Sequence, residues 1–284
     1  MTTEKKITKF DFSKYDLYKK CPQSYLWKYE ERRVPKTPPN SYYALPGIVI
    51  QKLFEHFYNS QWYLKRGACR EFMYQKAPEI FDNTLKYINV DWQAKIAKKN
   101  KQQVFDEFLE MIGRNLDVIK DKKLLGPFAK SEFKIVSFLE NNKYVELTSK
   151  VDFVIKNAEG LQILDGKATT NKKGYLDKPH QLFFYAMMYK FKYGVYPNKV
   201  GFWFWRDGDI RYIDFDDSTI ETLKEDIKDV LYKIYKKKFV ATPEFGTCLF
   251  CNYQNECFEK KKDTAEKVAA KNTRITENDL NIFA

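Results

Sequence analysis

Histidine is almost missing from this chain: His56 and His180 are the only two in 284 residues. That excludes a histidine-rich zinc hydrolase site and argues against Ser-His-Asp catalysis. No uninterrupted apolar run reaches the roughly 18 residues that a spanning helix needs, so no membrane segment is expected. Met1 to Asp11 is polar and lysine-rich with no apolar core, so no secretory signal is expected and the reading is cytoplasmic. A phosphate-binding loop is missing too. Gly160 to Lys167 looks like one at first, but five residues rather than four separate its glycines. Ala168 also stands where a Ser or Thr should hold magnesium. An ATPase is rejected, no helicase motor is present, and no internal repeat is visible. Only five cysteines occur, and in a cytoplasmic chain they point to metal binding rather than disulfides.

Aromatic residues and positive charge are abundant. Hydrophobic content is 44%, with 23 Phe and 20 Tyr, enough for a sizeable core. The formal net charge is +12, spread along the chain, which favours a polyanionic partner such as nucleic acid. Ser13 is a candidate N-cap for a helix running through Tyr15, Leu17, Tyr18, Tyr25, Leu26 and Tyr29. Three prolines mark 34–40 as a connector. The spacing of Ile48, Ile50, Leu53, Phe54, Phe57 and Tyr58 predicts a helix from Gly47 to about Tyr63. Further helices are expected over 79–88, 101–119, 178–193 and 218–238. Strands are expected over 132–139, 144–155, 161–168, 199–205 and 210–215. This order gives an α/β core, a mixed central sheet flanked by helices, with a helical region before it. The expected divisions are 1–130 (helical), 131–240 (core), 241–260 (a cysteine segment closing on Cys21) and 261–284 (a polar, mobile tail).

The most informative stretch is the hairpin from Lys150 to Ala168. Asn157-Ala-Glu-Gly160 is turn-forming. Pairing Lys156 with Leu161 sets Asp152 opposite Asp165, and Lys167 then shares a face with Asp165. Like charges only roughly 5 Å apart across a sheet are destabilising. They make sense with a divalent cation between them and a lysine to meet developing negative charge. A solvated surface salt bridge is the plainer alternative.

Cys248, Cys251 and Cys257 lie within ten residues, and Cys21, followed by Pro22, is a natural fourth partner. Four thiolates hold either structural zinc or an iron–sulfur cluster. Cys69 stands apart and reads as an inert thiol. Trp203 and Trp205 alternate onto one strand face, which is usually core, although one of them could stack on bases.

These motifs together resemble the RecB-like PD-(D/E)XK nucleases, in particular the iron–sulfur branch that includes Cas4 proteins and the AddB nuclease domain. The resemblance runs from Ser13 to Cys257. It rests on Phe12-Ser-x-x-Asp-Leu-Tyr-x-x-Cys21-Pro, Gly47-x3-Gln51-x3-Glu55, Asp152 with Asp165-x-Lys167, Gln181-x3-Tyr185 and the cysteine pattern. It implies a restriction-endonuclease-like core and a [4Fe–4S] cluster on Cys21, Cys248, Cys251 and Cys257. It also implies Mg²⁺ or Mn²⁺ held by Asp152, Asp165, Gln51 and the Gly166 carbonyl. Lys167 would orient water or offset charge, with Gln181 and Tyr185 supporting it. Gln51 stands where the family usually carries histidine, and Val151 replaces the proline before Asp152. His56 lies about 140° round the helix from Gln51 and is read as structural or superficial.

The implied function is a DNA nuclease, expected to be an exonuclease on single strands or duplex ends in replication, recombination or repair. A noncatalytic iron–sulfur DNA-binding or adaptor protein is the alternative, and a zinc-stapled nucleic-acid module the third reading. The end of the tail, with Leu280, Ile282 and Phe283, resembles terminal peptides that dock on sliding clamps, which makes a clamp or recombination protein a candidate partner; a tail packed back on its own core is the plainer alternative.

Overall fold

A six-stranded mixed sheet organises the chain, in a computed structural model that describes residues 8–35, 41–61, 69–94, 97–139, 142–249 and 251–260. Its strands are β1 (Thr8–Asp11), β2 (Phe128–Leu139), β3 (Asn142–Asn157), β4 (Gly160–Lys167), β5 (Lys199–Phe204) and β6 (Asp209–Ile213). β3 is the axis. β2 pairs antiparallel along most of one edge of it. On the other edge β1 runs parallel at Val145–Thr148 and β4 antiparallel at Phe153–Asn157. Between these two partners the sheet forks. β5 adds parallel to β4, and β6 adds antiparallel to β5.

Helices cover both faces. On one lie α3 (Leu45–Asn59), α4 (Cys69–Leu85) and α5 (Lys101–Asp121), packed on Phe153, Ile155, Leu164, Trp203 and Trp205. On the other lie α1 (Phe12–Lys20), α7 (His180–Tyr193) and α8 (Asp217–Tyr235), packed on Leu147, Val151, Val154, Ile163, Phe202 and Phe204. Short helices α2 (Pro22–Tyr25), α6 (Lys173–Asp177), α9 (Phe245–Leu249) and α10 (Gln254–Lys260) fill the connections. Among the described residues no helix is long and apolar enough to cross a membrane.

Several local expectations shift. The first helix is capped by Asp11, whose carboxylate accepts from the Lys14 N–H at 2.9 Å, not by Ser13. It does not continue to Tyr29 as one α-helix: Cys21 is extended (φ −162°, ψ 104°), because a residue before proline is disfavoured in the α region. The chain restarts at Pro22 and passes through a π-turn at Leu26–Glu30. α4 begins ten residues before the expected helix and runs through Pro78, where proline would be read as a break. β1 was not anticipated, since a short polar strand carries no alternation to detect. The tail 261–284, with its clamp-docking reading, lies outside the described residues.

Candidate active site

The hairpin register is the one the sequence predicts: Lys156 pairs with Leu161 and Phe153 with Leu164. Asn157 and Gly160 pair as well, so the turn is tighter than a four-residue loop. One step beyond the last ladder pair the strands separate, at Asp152 and Asp165. The Gly166 N–H donates to Asp152 Oδ2 at 2.8 Å, so a carboxylate takes the place of a backbone acceptor. Asp165 turns inward and is 1% exposed.

A closed ring of polar contacts holds Asp165. The Lys167 ammonium lies 2.5 Å from Asp165 Oδ2 and donates to Gln181 Oε1 at 3.0 Å. Gln181 Nε2 donates to the Tyr185 hydroxyl at 2.8 Å, and that hydroxyl meets Asp165 Oδ1 at 3.3 Å. The same hydroxyl reaches the Lys150 carbonyl, at 3.4 Å, in the fork of the sheet. Spacing of four on α7 puts Gln181 and Tyr185 on one helical face, as expected.

Electrostatics follow from this packing. Burial, then the charge of Asp165, pushes the Asp152 carboxyl well above the usual carboxylate range, against the pull of Lys167 and the Gly166 N–H. Burial alone would depress Lys167, but Asp165 and Asp152 reverse this and raise it. Burial and the same two carboxylates push the Tyr185 phenol up.

A cleft of about 460 Å³ opens over the pair, lined by Gln51, Glu55, Glu132, Lys150, Asp152, Gly166, Lys167 and Trp205, among others. α3 reaches it because Gly47 lies against Ala168; a Cβ on Gly47 would sit 3.1 Å from that methyl. Gly166 has a sharper reason to be glycine, since a Cβ there would lie 1.8 Å from the Trp205 indole. Trp203 and Trp205 are both core, with Trp203 stacked on Phe54 at 4.8 Å, so neither offers a face to a base. His56 is exposed and stacks on Phe72, away from this cleft.

Glu132 is the residue that sequence reasoning missed. It lies in β2 between Ser131, which pairs with Phe153, and Phe133, which pairs with Val151. Counting out from the Leu139–Asn142 pair would set it opposite Ser149; a register slip between Phe138 and Leu139 brings it level with Asp152. Its φ is +55°, a left-handed value that is rare away from glycine.

The donor set fits a hard divalent cation. Gln51 Oε1 and Asp165 Oδ2 are both buried without a hydrogen-bond partner, although the Lys167 ammonium stands close to the latter. With Asp152 they supply the oxygen ligands that Mg²⁺ and Mn²⁺ accept.

The four cysteines also come together. Cys21 lies at the break after α1, Cys248 in α9, Cys251 just after it and Cys257 in α10. Burial first, then Cys251, Cys21 and Cys257, raise the Cys248 thiol. The segment is docked by the Tyr253 hydroxyl on the Arg33 carbonyl (3.1 Å), by Tyr253 against Trp27, and by Thr242 on the Lys20 carbonyl (2.8 Å). Four neighbouring thiols suit either zinc or an iron–sulfur cluster in donor chemistry. Among the described residues, however, no three His, Cys, Asp or Glu side chains stand in metal-holding geometry, neither these thiols nor Asp152, Asp165 and Glu132.

A family profile described as the PD-(D/E)XK nuclease superfamily matches residues 9–258. None of the curated proteins compared matches the chain. Among solved structures, the protein SSO0001 is 12% identical over 85% of this chain and 93% of its own, with a TM-score of 0.29, too loose a likeness to carry an argument.

Proposed function

Since the chain belongs to the PD-(D/E)XK nuclease superfamily, a group of metal-dependent nucleases, we propose that it is a Mg²⁺- or Mn²⁺-dependent deoxyribonuclease acting on single-stranded DNA or duplex ends. The observation that carries this reading is the buried ring of Asp165, Lys167, Gln181 and Tyr185 beneath a cleft that Asp152 and Gln51 line. A surface salt bridge would need no such buttressing.

In this reading Asp152 and Asp165 hold the cation, aided by the Gln51 amide oxygen and the Gly166 carbonyl. When bound, the metal supplies polarisation of the scissile phosphate and acidification of a water. Lys167, held by Gln181, orients that water or offsets charge developing on the phosphate. Tyr185 fixes Asp165 from below. The +12 charge favours a nucleic-acid backbone in the cleft, where Lys52 and Lys150 line the wall.

We also assign the cysteine clip to a [4Fe–4S] cluster on Cys21, Cys248, Cys251 and Cys257, as in the Cas4 and AddB branch. It would tie the two ends of the nuclease fold together, so ligand binding would contribute to folding. The glutamine at position 51 is the one observation that favours a noncatalytic DNA-binding adaptor. End-labelled single-stranded and duplex DNA incubated with Mn²⁺ or Mg²⁺ tests both. Metal-dependent cleavage by the wild type, lost in Asp165→Asn, is expected. Binding without cleavage would support the adaptor, and an equal rate in Asp165→Asn would remove the site.

A further inference from the structure

Glu132 has no role in the nuclease reading above, yet both of its carboxylate oxygens are used. Oε1 accepts from Gln51 Nε2 at 2.6 Å, and Oε2 is paired with the Lys150 ammonium. The side chain is 14% exposed at the level of Asp152, on a residue whose left-handed backbone is retained in the middle of a strand. Backbone strain of this kind persists where the surroundings enforce it, and it clusters at functional sites. The strand faces also change here. Ala129 on β2 and Phe153 on β3 pack in the α3 core, while Phe133 and Val151 pack in the α7 core. A regular strand would keep positions two apart on one side.

We infer that Glu132 is a positioning residue that sets which end of the Gln51 amide faces the metal site. An ionised carboxylate only accepts hydrogen bonds, whereas an amide has one accepting and one donating end. With Glu132 on one side, the Gln51 nitrogen must turn toward it. The oxygen is left on the other side, buried and without a partner. A histidine at position 51 would have a ring nitrogen to give the metal whatever its neighbour did. A glutamine needs its direction fixed, because the wrong end offers N–H groups to a cation. Glu132 supplies that direction through one oxygen, while its other oxygen is paired with the Lys150 ammonium.

This inference rests on the reading that Asp152, Asp165 and Gln51 hold a divalent ion. The test reads Mn²⁺ binding in the absence of DNA, from the free-ion electron paramagnetic resonance signal during titration. Glu132→Gln keeps the shape but can donate to Gln51, so it turns the amide round. Its Mn²⁺ affinity should fall about tenfold or more, the size expected when a residue orienting a ligand is lost. Glu132→Ala, which frees the amide to rotate, should lose less. The decisive variant is the swap, Gln51→Glu with Glu132→Gln. It keeps the net charge and reverses the hydrogen bond, so an acceptor again faces the metal, and binding should return to near the wild-type level. Melting curves confirm that each variant is folded; if the swap does not fold, the ordering of Glu132→Gln below Glu132→Ala decides the matter.

Wild-type Mn²⁺ affinity in Glu132→Gln, with Gln51→Ala and Asp165→Asn both weakened, overturns the inference and leaves the metal site standing. Loss in Glu132→Gln without recovery in the folded swap overturns it too, by making Glu132 a ligand or a plain structural group. Unchanged binding in Asp165→Asn removes the metal site itself.

Discussion

Replacing Lys167 by methionine should destabilise the metal-free protein as well as stop catalysis. Asp165 is 1% exposed, and the Lys167 ammonium is the charge beside it, at 2.5 Å. Methionine keeps much of the stem's volume and removes that charge. The carboxylate would keep one long contact, the Tyr185 hydroxyl at 3.3 Å. Breaking a buried pair from one side costs about 3–5 kcal/mol, because the other charge is left uncompensated. At about 2 °C per kcal/mol for a chain of this size, that is a fall of about 6–10 °C in melting temperature. Removing both charges, in Asp165→Asn with Lys167→Met, should recover most of the loss, since a neutral pair of similar shape avoids the stranded charge. A divalent ion should recover part of it as well. At a hundred times its dissociation constant a ligand stabilises by about 2.7 kcal/mol, and in the Lys167→Met variant the ion would also neutralise Asp165. The melting temperature of Lys167→Met should therefore respond more steeply to Mg²⁺ than that of the wild type. The assay is differential scanning fluorimetry in chelator and across an Mg²⁺ series. If Lys167→Met melts within a degree of the wild type in chelator, Asp165 is solvated and the buried-ring account is wrong.

Asp152→Asn should stabilise the metal-free protein at neutral pH. The folded-state pKa of Asp152 is raised by burial and by Asp165, so ionising it opposes folding. That penalty is absent below the ordinary carboxylate range near 4, grows as pH rises toward the raised value, and is constant above it. Melting curves should show the advantage of Asp152→Asn shrinking on acidification toward about pH 4; an advantage that grows on acidification would reverse the assignment. Gly166→Ala should cost about 1–3 kcal/mol through its clash with the Trp205 indole, and Trp205→Leu should recover part of it; equal stability of Gly166→Ala and the wild type would show that the indole can move. Anaerobically purified protein should be brown, and Cys251→Ser should bleach it and lower solubility. Stoichiometric zinc without iron in the wild type would show the clip to be a zinc site.

The parts of the site that were legible in the sequence share one property: each follows from a short-range rule. Turn chemistry at Asn157–Gly160 set the β3–β4 register and placed Asp152 level with Asp165. Period two put Lys167 beside Asp165, and a spacing of four put Gln181 beside Tyr185. The same period sent Trp203 and Trp205 into one core, with Phe202 and Phe204 in the other. Helix boundaries were less secure where a proline could act either way. Pro22 breaks the chain at Cys21, while Pro78 lies within a continuing helix.

Glu132 was illegible for a different reason. In Ser131-Glu-Phe-Lys-Ile-Val136 it looks like any solvent-facing residue of an edge strand. Its place at the site depends on three things the local pattern does not carry: the β2–β3 register, a slip next to the turn, and a left-handed residue that turns the strand over. The slip matters most. Without it, the register counted from the Leu139–Asn142 pair would bring Ala129, not a carboxylate, to the level of Asp152. The orientation of Gln51 would then have no acceptor to set it. A departure at position 51 that looks like decay when the motif is read alone thus becomes chemically coherent once β2 is beside it. The amide and the carboxylate are 81 residues apart and meet at 2.6 Å. Neither informs on the other until the sheet is assembled.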